Sequence, residues 1–193
     1  FLNNFEMSET DINGNIAWTL KGDRLEKFPN SARSEVLNPL MHIISSKDSF
    51  WIIESKHALD PDSLFKTIYL TGNVIFNKYD NNQINEVKIV TTEAIIYPDD
   101  EIIETDKFAT IVTPNSKTSG NGVIANMKKG QIKILSNAKR LSVSDDRTEQ
   151  LEGERMLYDL KKKTWVLLKK EMQDDKIKIK DRVKTILRTR KAE

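Results

Sequence analysis

Cysteine is absent from the 193-residue chain, so disulfides and thiolate chemistry are excluded, and a reducing or an oxidising compartment is equally compatible. No stretch approaches the roughly 18 apolar residues of a membrane span. The chain opens at Phe1 rather than Met, which leaves room for a targeting or anchoring segment upstream. Histidine occurs only at His42 and His57. Glu54 near His57 gives one carboxylate and one imidazole, which is not a metal site. A nucleophile would have to be serine or threonine, and no Gly-x-Ser-x-Gly elbow occurs. Ser119-Gly120-Asn121-Gly122 lacks the following Lys-Ser/Thr and helix of a phosphate loop, and reads as a turn. Asp99-Asp100-Glu101 lacks the oxygen spacing of a calcium loop and reads as a hairpin tip. No catalytic residue, metal or cofactor is expected.

What is present is lean for the length: 38% of residues are hydrophobic and 31% charged. A sheet with one wet face, or an open structure with a thin core, gives such figures. Lys and Arg number 31 against 29 Asp and Glu, but unevenly, with residues 1–146 net acidic and residues 147–193 net basic. Nucleic-acid binding needs aromatics interleaved with the basic residues. The tail offers only Tyr158 and Trp165, so no nucleic-acid partner is expected.

The organising stretch is 67–106. Ile68, Leu70, Gly72, Val74 and Phe76 fall at every second position, which predicts a strand with one apolar face. Residues 79–83 reverse the chain, Val87, Ile89 and Thr91 share the face of a second strand, and Pro98-Asp99-Asp100 turns into a third at Ile102. This is an antiparallel meander. Upstream, Phe5 and Met7 mark an edge strand and residues 11–15 a hairpin turn. Ile16, Trp18 and Leu20 then share a face. Residues 35–44 form another extended run, with Pro39 at an edge or bulge, and Phe50-Trp51-Ile52-Ile53-Glu54-Ser55 is strongly β-prone. Short strands recur every eight to twelve residues to Val143, which predicts an all-β sandwich, barrel or jellyroll. Ser144-Asp145-Asp146-Arg147 marks a seam between 1–146 and an extension, 147–193. In the extension Lys176-Ile177-Lys178-Ile179-Lys180 alternates, and the stretch around Val183, Ile186 and Leu187 reads as a last strand in preference to a short helix.

If the strands curl into an open barrel, the inward side chains line a hollow. Acyl chains are its obvious occupants. At about 0.8 kcal/mol per buried methylene, a chain of about a dozen carbons would supply on the order of 10 kcal/mol gross. An ordinary filled sandwich is the competing outcome.

Ile12-Asn13-Gly14-Asn15-Ile16-Ala17-Trp18-Thr19-Leu20 resembles the opening of the LptC family, the periplasmic part of the lipopolysaccharide export machinery. The resemblance continues through Asn38-Pro39, Trp51-Ile52-Ile53, Ala58-Leu59, Tyr69-Leu70-Thr71-Gly72-Asn73-Val74 and Ile89-Val90-Thr91-Thr92-Glu93-Ala94. Glu104-Thr105-Asp106 and Ser119-Gly120-Asn121-Gly122-Val123 complete it, over roughly residues 3–143. It implies a twisted, V-shaped antiparallel β-jellyroll, open along one side and held in the periplasm by an N-terminal inner-membrane helix. It further implies no catalytic activity. Lipopolysaccharide would come from the inner-membrane ABC transporter permeases at the N-terminal edge. It would pass to an LptA-like jellyroll at the C-terminal edge, and the same edge pairing allows homo-oligomers. Gly14 and Gly122 match family glycines. Strand alternation then makes Ile16, Trp18, Leu20, Val36, Leu40, Trp51, Ile53, Leu70, Val74, Phe76, Ile89 and Ile103 the lipid-facing candidates, an assignment that a one-residue slip would invert strand by strand. Residues 151–168 resemble a repeat of LptA itself. The alternative to lipid transfer is a structural jellyroll that bridges periplasmic partners without binding lipid.

Overall fold

The computed structural model describes residues 1–28, 30–46, 49–144 and 147–168, and the backbone of 184–189. Every regular element among them is a strand. These are β1 (Leu2–Thr10), β2 (Ile16–Lys27), β3 (Ser34–Leu37), β4 (Leu40–Ser46), β5 (Ser49–Glu54), β6 (His57–Asp60), β7 (Ile68–Asp80) and β8 (Asn85–Tyr97). There follow β9 (Ile102–Thr113), β10 (Ser116–Asn126), β11 (Gln131–Ser144), β12 (Arg147–Gly153), β13 (Arg155–Asp159), β14 (Thr164–Leu168) and β15 (Lys184–Thr189). All belong to one antiparallel sheet. The expected last strand is there as β15, while Lys176–Lys180 lies outside the described residues.

The pairing register shows that several short strands are halves of longer ones. Along β2, Trp18 pairs with Ile43, Lys21 with Leu40, Arg24 with Leu37 and Lys27 with Ser34, so β3 and β4 continue one another without a slip. β5 and β6 face that pair in one register too, Glu54 opposite Leu40 and His57 opposite Leu37. β12 and β13 lie end to end along β11. As far as β13 the sheet is therefore a meander in which each long strand bonds to its neighbours in sequence, after which β14 returns along β13 and β15 along β12.

Nearly every long strand is interrupted near its middle, and the interruptions line up across the sheet. Asn38, at φ 49°, separates β3 from β4, and Ser55-Lys56 separates β5 from β6. β7 breaks at Gly72 and Asn73 (φ 81° and 54°), and β10 and β11 at Gly122 (68°) and Asn137 (52°). The β7–β8, β8–β9 and β9–β10 ladders all slip at this level. Backbone bonds tie the breaks side to side: Asn38 N–H to Lys56 O at 2.8 Å, and Lys56 N–H to Gly72 O at 3.0 Å. Such bulges bend a strand sharply. At Gly122 the left-handed backbone favours glycine, and a Cβ there would also stand 3.0 Å from Leu135 Cδ1. Residues 119–122 are thus a bend inside β10, not the turn their composition predicts.

Bent along this crease, the sheet folds onto itself, and halves before the crease face halves beyond it. The Trp18 ring meets Phe65 at 6.3 Å between centroids. Ser45 Oγ donates to Glu101 Oε2 at 2.9 Å, and Lys163 Nζ lies 3.0 Å from Glu86 Oε1. The last two contacts join segments three or more strands apart in the flat order. The core between the two layers takes one apolar side chain after another from β2 through β13, with Trp51, Phe76, Ile111, Ile132 and Ile134 fully buried.

Candidate functional site

The apolar inner face is where the lipid-facing candidates fall. Trp18, Leu20, Val36, Trp51, Ile53, Leu70, Val74, Phe76, Ile89 and Ile103 are all buried. Two candidates are elsewhere. Leu40 is 39% exposed on the outer face, because the break at Asn38-Pro39 shifts the alternation by one residue and gives the inner positions of β4 to Met41 and Ile43. Ile16 is 47% exposed: it opens β2 beside the β1–β2 turn, paired with Thr10 and beyond the β2–β4 ladder, which starts at Trp18. Gly14 turns the β1–β2 hairpin at φ 81°, where Asp11 Oδ1 caps the Asn13 and Asn15 amides at 2.8 and 2.9 Å.

The same face continues into Ile96 of β8 and into Ile111, Ile132, Ile134, Met156 and Tyr158, the last five marked by alternation in β9, β11 and β13 although absent from the sequence candidates. The parity change in β8 was harder to see. Thr91 and Ala94 both point inward, with Thr92 and Glu93 both exposed between them. Freed backbone carbonyls at this crossing are satisfied locally: Thr91 Oγ1 donates to Phe108 O at 3.0 Å and Thr105 Oγ1 to Glu93 O at 2.7 Å, as buried carbonyls require.

The expected hollow is filled. Trp51 and Phe76 show no exposed surface, because the two layers interdigitate their side chains where a barrel would hold them apart. The Nε1 donors of Trp18 and Trp51 are buried without an acceptor among the described residues.

Two surface depressions adjoin this interior. One, of about 390 Å³, lies between the layers at the C-terminal end and is walled by Val87, Tyr158 and Leu160 of the core together with Glu86, Arg140, Lys163 and Trp165. The other, of about 450 Å³, lies over the crease between Tyr69, Ile95, Ile124 and Leu135, with the Lys107–Glu93 ion pair at 3.3 Å on its rim.

Glu86 holds the end groove's two sides together, contacting Lys78 across the β7–β8 hairpin and Lys163 across the layers. Burial alone would raise its pKa, but the hydrogen bonds and charges of Lys78 and Lys163 outweigh that and set it below the ordinary 4.5. A carboxylate with a depressed folded-state pKa stabilises fully above its unfolded value and loses that contribution as pH falls through the folded one. Glu86→Gln should therefore cost about 1 kcal/mol near neutrality. The gap to the parent should close as the pH falls below 4.5, measured by urea unfolding from pH 7 downward.

A family model described as LptC, lipopolysaccharide-assembly, LptC-related, matches residues 1–141. No curated protein sequence matches the chain. Among solved structures, one match is the crystal structure of LptH, described as the LptA-homologous periplasmic component of the conserved lipopolysaccharide transport device from Pseudomonas aeruginosa. It superposes with a TM-score of 0.33 at 9% identity, over 88% of this chain and 93% of that one. The antiparallel architecture stands on the strand pairing described above, independently of that superposition.

Proposed function

Because the chain belongs to the LptC-related family of lipopolysaccharide-assembly proteins, and its role therefore lies in lipopolysaccharide transport, we propose that it is a non-enzymatic, periplasmic lipid-transfer protein. It receives lipopolysaccharide from an inner-membrane ABC transporter complex, to which an N-terminal helix anchors it, and delivers it to an LptA-like jellyroll. The observation that carries this reading is the inner face: one continuous apolar cluster from β2 to β13, reaching a groove at the end of the layers. Acyl chains entering there exchange lipid–side-chain contacts for contacts between the layers, so the gross gain per methylene is largely offset. Moderate net affinity suits a carrier that must release its load.

Strand edges support the partner assignment. Among the described residues β1 pairs only with β2, and β14 only with β13, leaving an edge at each end for strand addition. At about 1 kcal/mol net per hydrogen bond, such docking stays reversible. Gly14 and Gly122 serve the backbone turn and bend; the ten buried candidates serve the lipid.

The test is photo-crosslinking. Benzoylphenylalanine at Trp18 or Phe76 should label lipopolysaccharide, while the same group at Lys88, exposed on the outer face of β8, should not. Equal labelling would defeat the reading. The filled interior favours one alternative, a structural adaptor that joins periplasmic partners without holding lipid. Native mass spectrometry of the purified protein separates the two, since only a carrier retains co-purified lipid.

A further inference from the structure

The end groove combines apolar walls with side chains whose buried N–H groups have no acceptor among the described residues. Arg140 enters it from β11. Its Nη1 donates to Ser142 Oγ at 3.0 Å and stands 3.8 Å from Glu149 Oε2, while its Nε is buried without an acceptor. Trp165, stacked on Tyr158 at 4.8 Å between centroids, likewise has a buried Nε1 without an acceptor. Lys163 reaches in from the β13–β14 turn and is itself 67% exposed. Arg140, Lys163 and Trp165 thus border one depression, and behind its wall the Arg140 Nε and Trp165 Nε1 have no acceptor among the described residues, each at a desolvation cost that an acceptor would recover.

We propose that the end groove binds a phosphoryl group, with Arg140 and Lys163 supplying charge and the Trp165 ring forming the wall beside it, so that its indole N–H reports the anion's arrival. A guanidinium presents a planar fork of N–H groups that matches phosphate oxygens, and the Lys ammonium adds a mobile point charge. Asp80 and Glu86 also line the groove, and Glu149 stands beside Arg140, so a dianion enters only as Lys163 turns from Glu86 towards it. Glu86 then keeps Lys78 as its partner. Val87 and Leu160 place an apolar wall beside the phosphoryl position, which suits a phosphorylated headgroup whose acyl chains continue inward. The acyl half of this assignment rests on the lipid-transfer reading; the phosphoryl half does not.

The experiment follows the indole N–H resonances of the full chain, with Trp165 assigned through Trp165→Phe. Titration with inorganic phosphate should shift the Trp165 signal saturably and leave those of Trp18 and Trp51 in place. Arg140→Gln and Lys163→Gln should each weaken binding about tenfold, the loss of one charge-assisted hydrogen bond. Lys163 is exposed, so its variant remains informative if Arg140→Gln fails to fold. A diphosphorylated glycolipid in detergent micelles should bind about tenfold tighter than its dephosphorylated counterpart, and Arg140→Gln should close that gap. Phosphate binding without any preference between the two lipids would assign the groove to free phosphate and overturn the headgroup assignment. No saturable Trp165 shift would overturn the site. If neither lipid binds while phosphate does, the lipid-transfer reading fails and the phosphoryl site stands.

Discussion

Ile111→Asp should leave the chain unfolded, while Val112→Asp, one residue later on the same strand, should leave it as stable as the parent. Ile111 has no exposed surface and sits in β9 between Ile89 of β8 and Thr118 of β10. Aspartate there forfeits roughly 1.5–3 kcal/mol of apolar burial and adds several more for an unpaired charge out of water. The sum rivals the roughly 5–15 kcal/mol that holds a whole domain together. Val112 is 39% exposed and pairs with Lys88 on one side and Lys117 on the other. A carboxylate between two lysines gains about 0.2–1 kcal/mol per cross-strand pair, which offsets the lost β-branched side chain. Urea unfolding followed by circular dichroism checks both. A folded Ile111→Asp protein would mean that this face does not point inward.

Truncation after Ser144 should be comparably severe. The family match ends at residue 141, so the shortened chain would retain everything the family model recognises. The packing argues that it would not retain the fold. Met156, Tyr158 and Leu160 belong to the same core cluster as Trp18 and Phe76, and Ile132 and Ile134 pair directly with Tyr158 and Met156. At roughly 1.5–3 kcal/mol for each buried side chain removed, the loss is about 5–9 kcal/mol. It falls on residues that then face water. The fragment should bind a hydrophobic dye strongly and lose its dispersed amide spectrum. A fragment with native-like dispersion and no dye binding would show 1–144 to be self-sufficient.

The central meander was legible because β7 and β8 spell out their faces with a period of two, and because Pro98-Asp99-Asp100 closes the second hairpin by composition. The chain as a whole reads as strands for the same reason. Legibility failed at the crease. Asn38-Pro39 looks like a bulge within one run, but only the coordinates show that the left-handed Asn38 moves Leu40 outward and Met41 inward. Thr92-Glu93 repeats the problem in β8, where two consecutive outward residues break no composition rule. The state of the interior was equally hidden, since alternation reports which side is apolar and says nothing of how far apart two such sides stand. The Lys163–Glu86 contact joins residues 77 positions apart, and neither has a neighbour in sequence that hints at the other.

From β1 to β11 the order of the long strands in this sheet is chain order, and that bears on how the molecule is built. Most all-β domains must hold early strands idle until late ones arrive, and the loop entropy spent in waiting slows them. Here, up to β11, each new strand finds its partner in the long strand just completed, with β3–β4 and β5–β6 each counted as one. A polypeptide emerging N-terminus first from a narrow passage can therefore zip hairpin onto hairpin as it appears, leaving the bending of the finished ribbon for last.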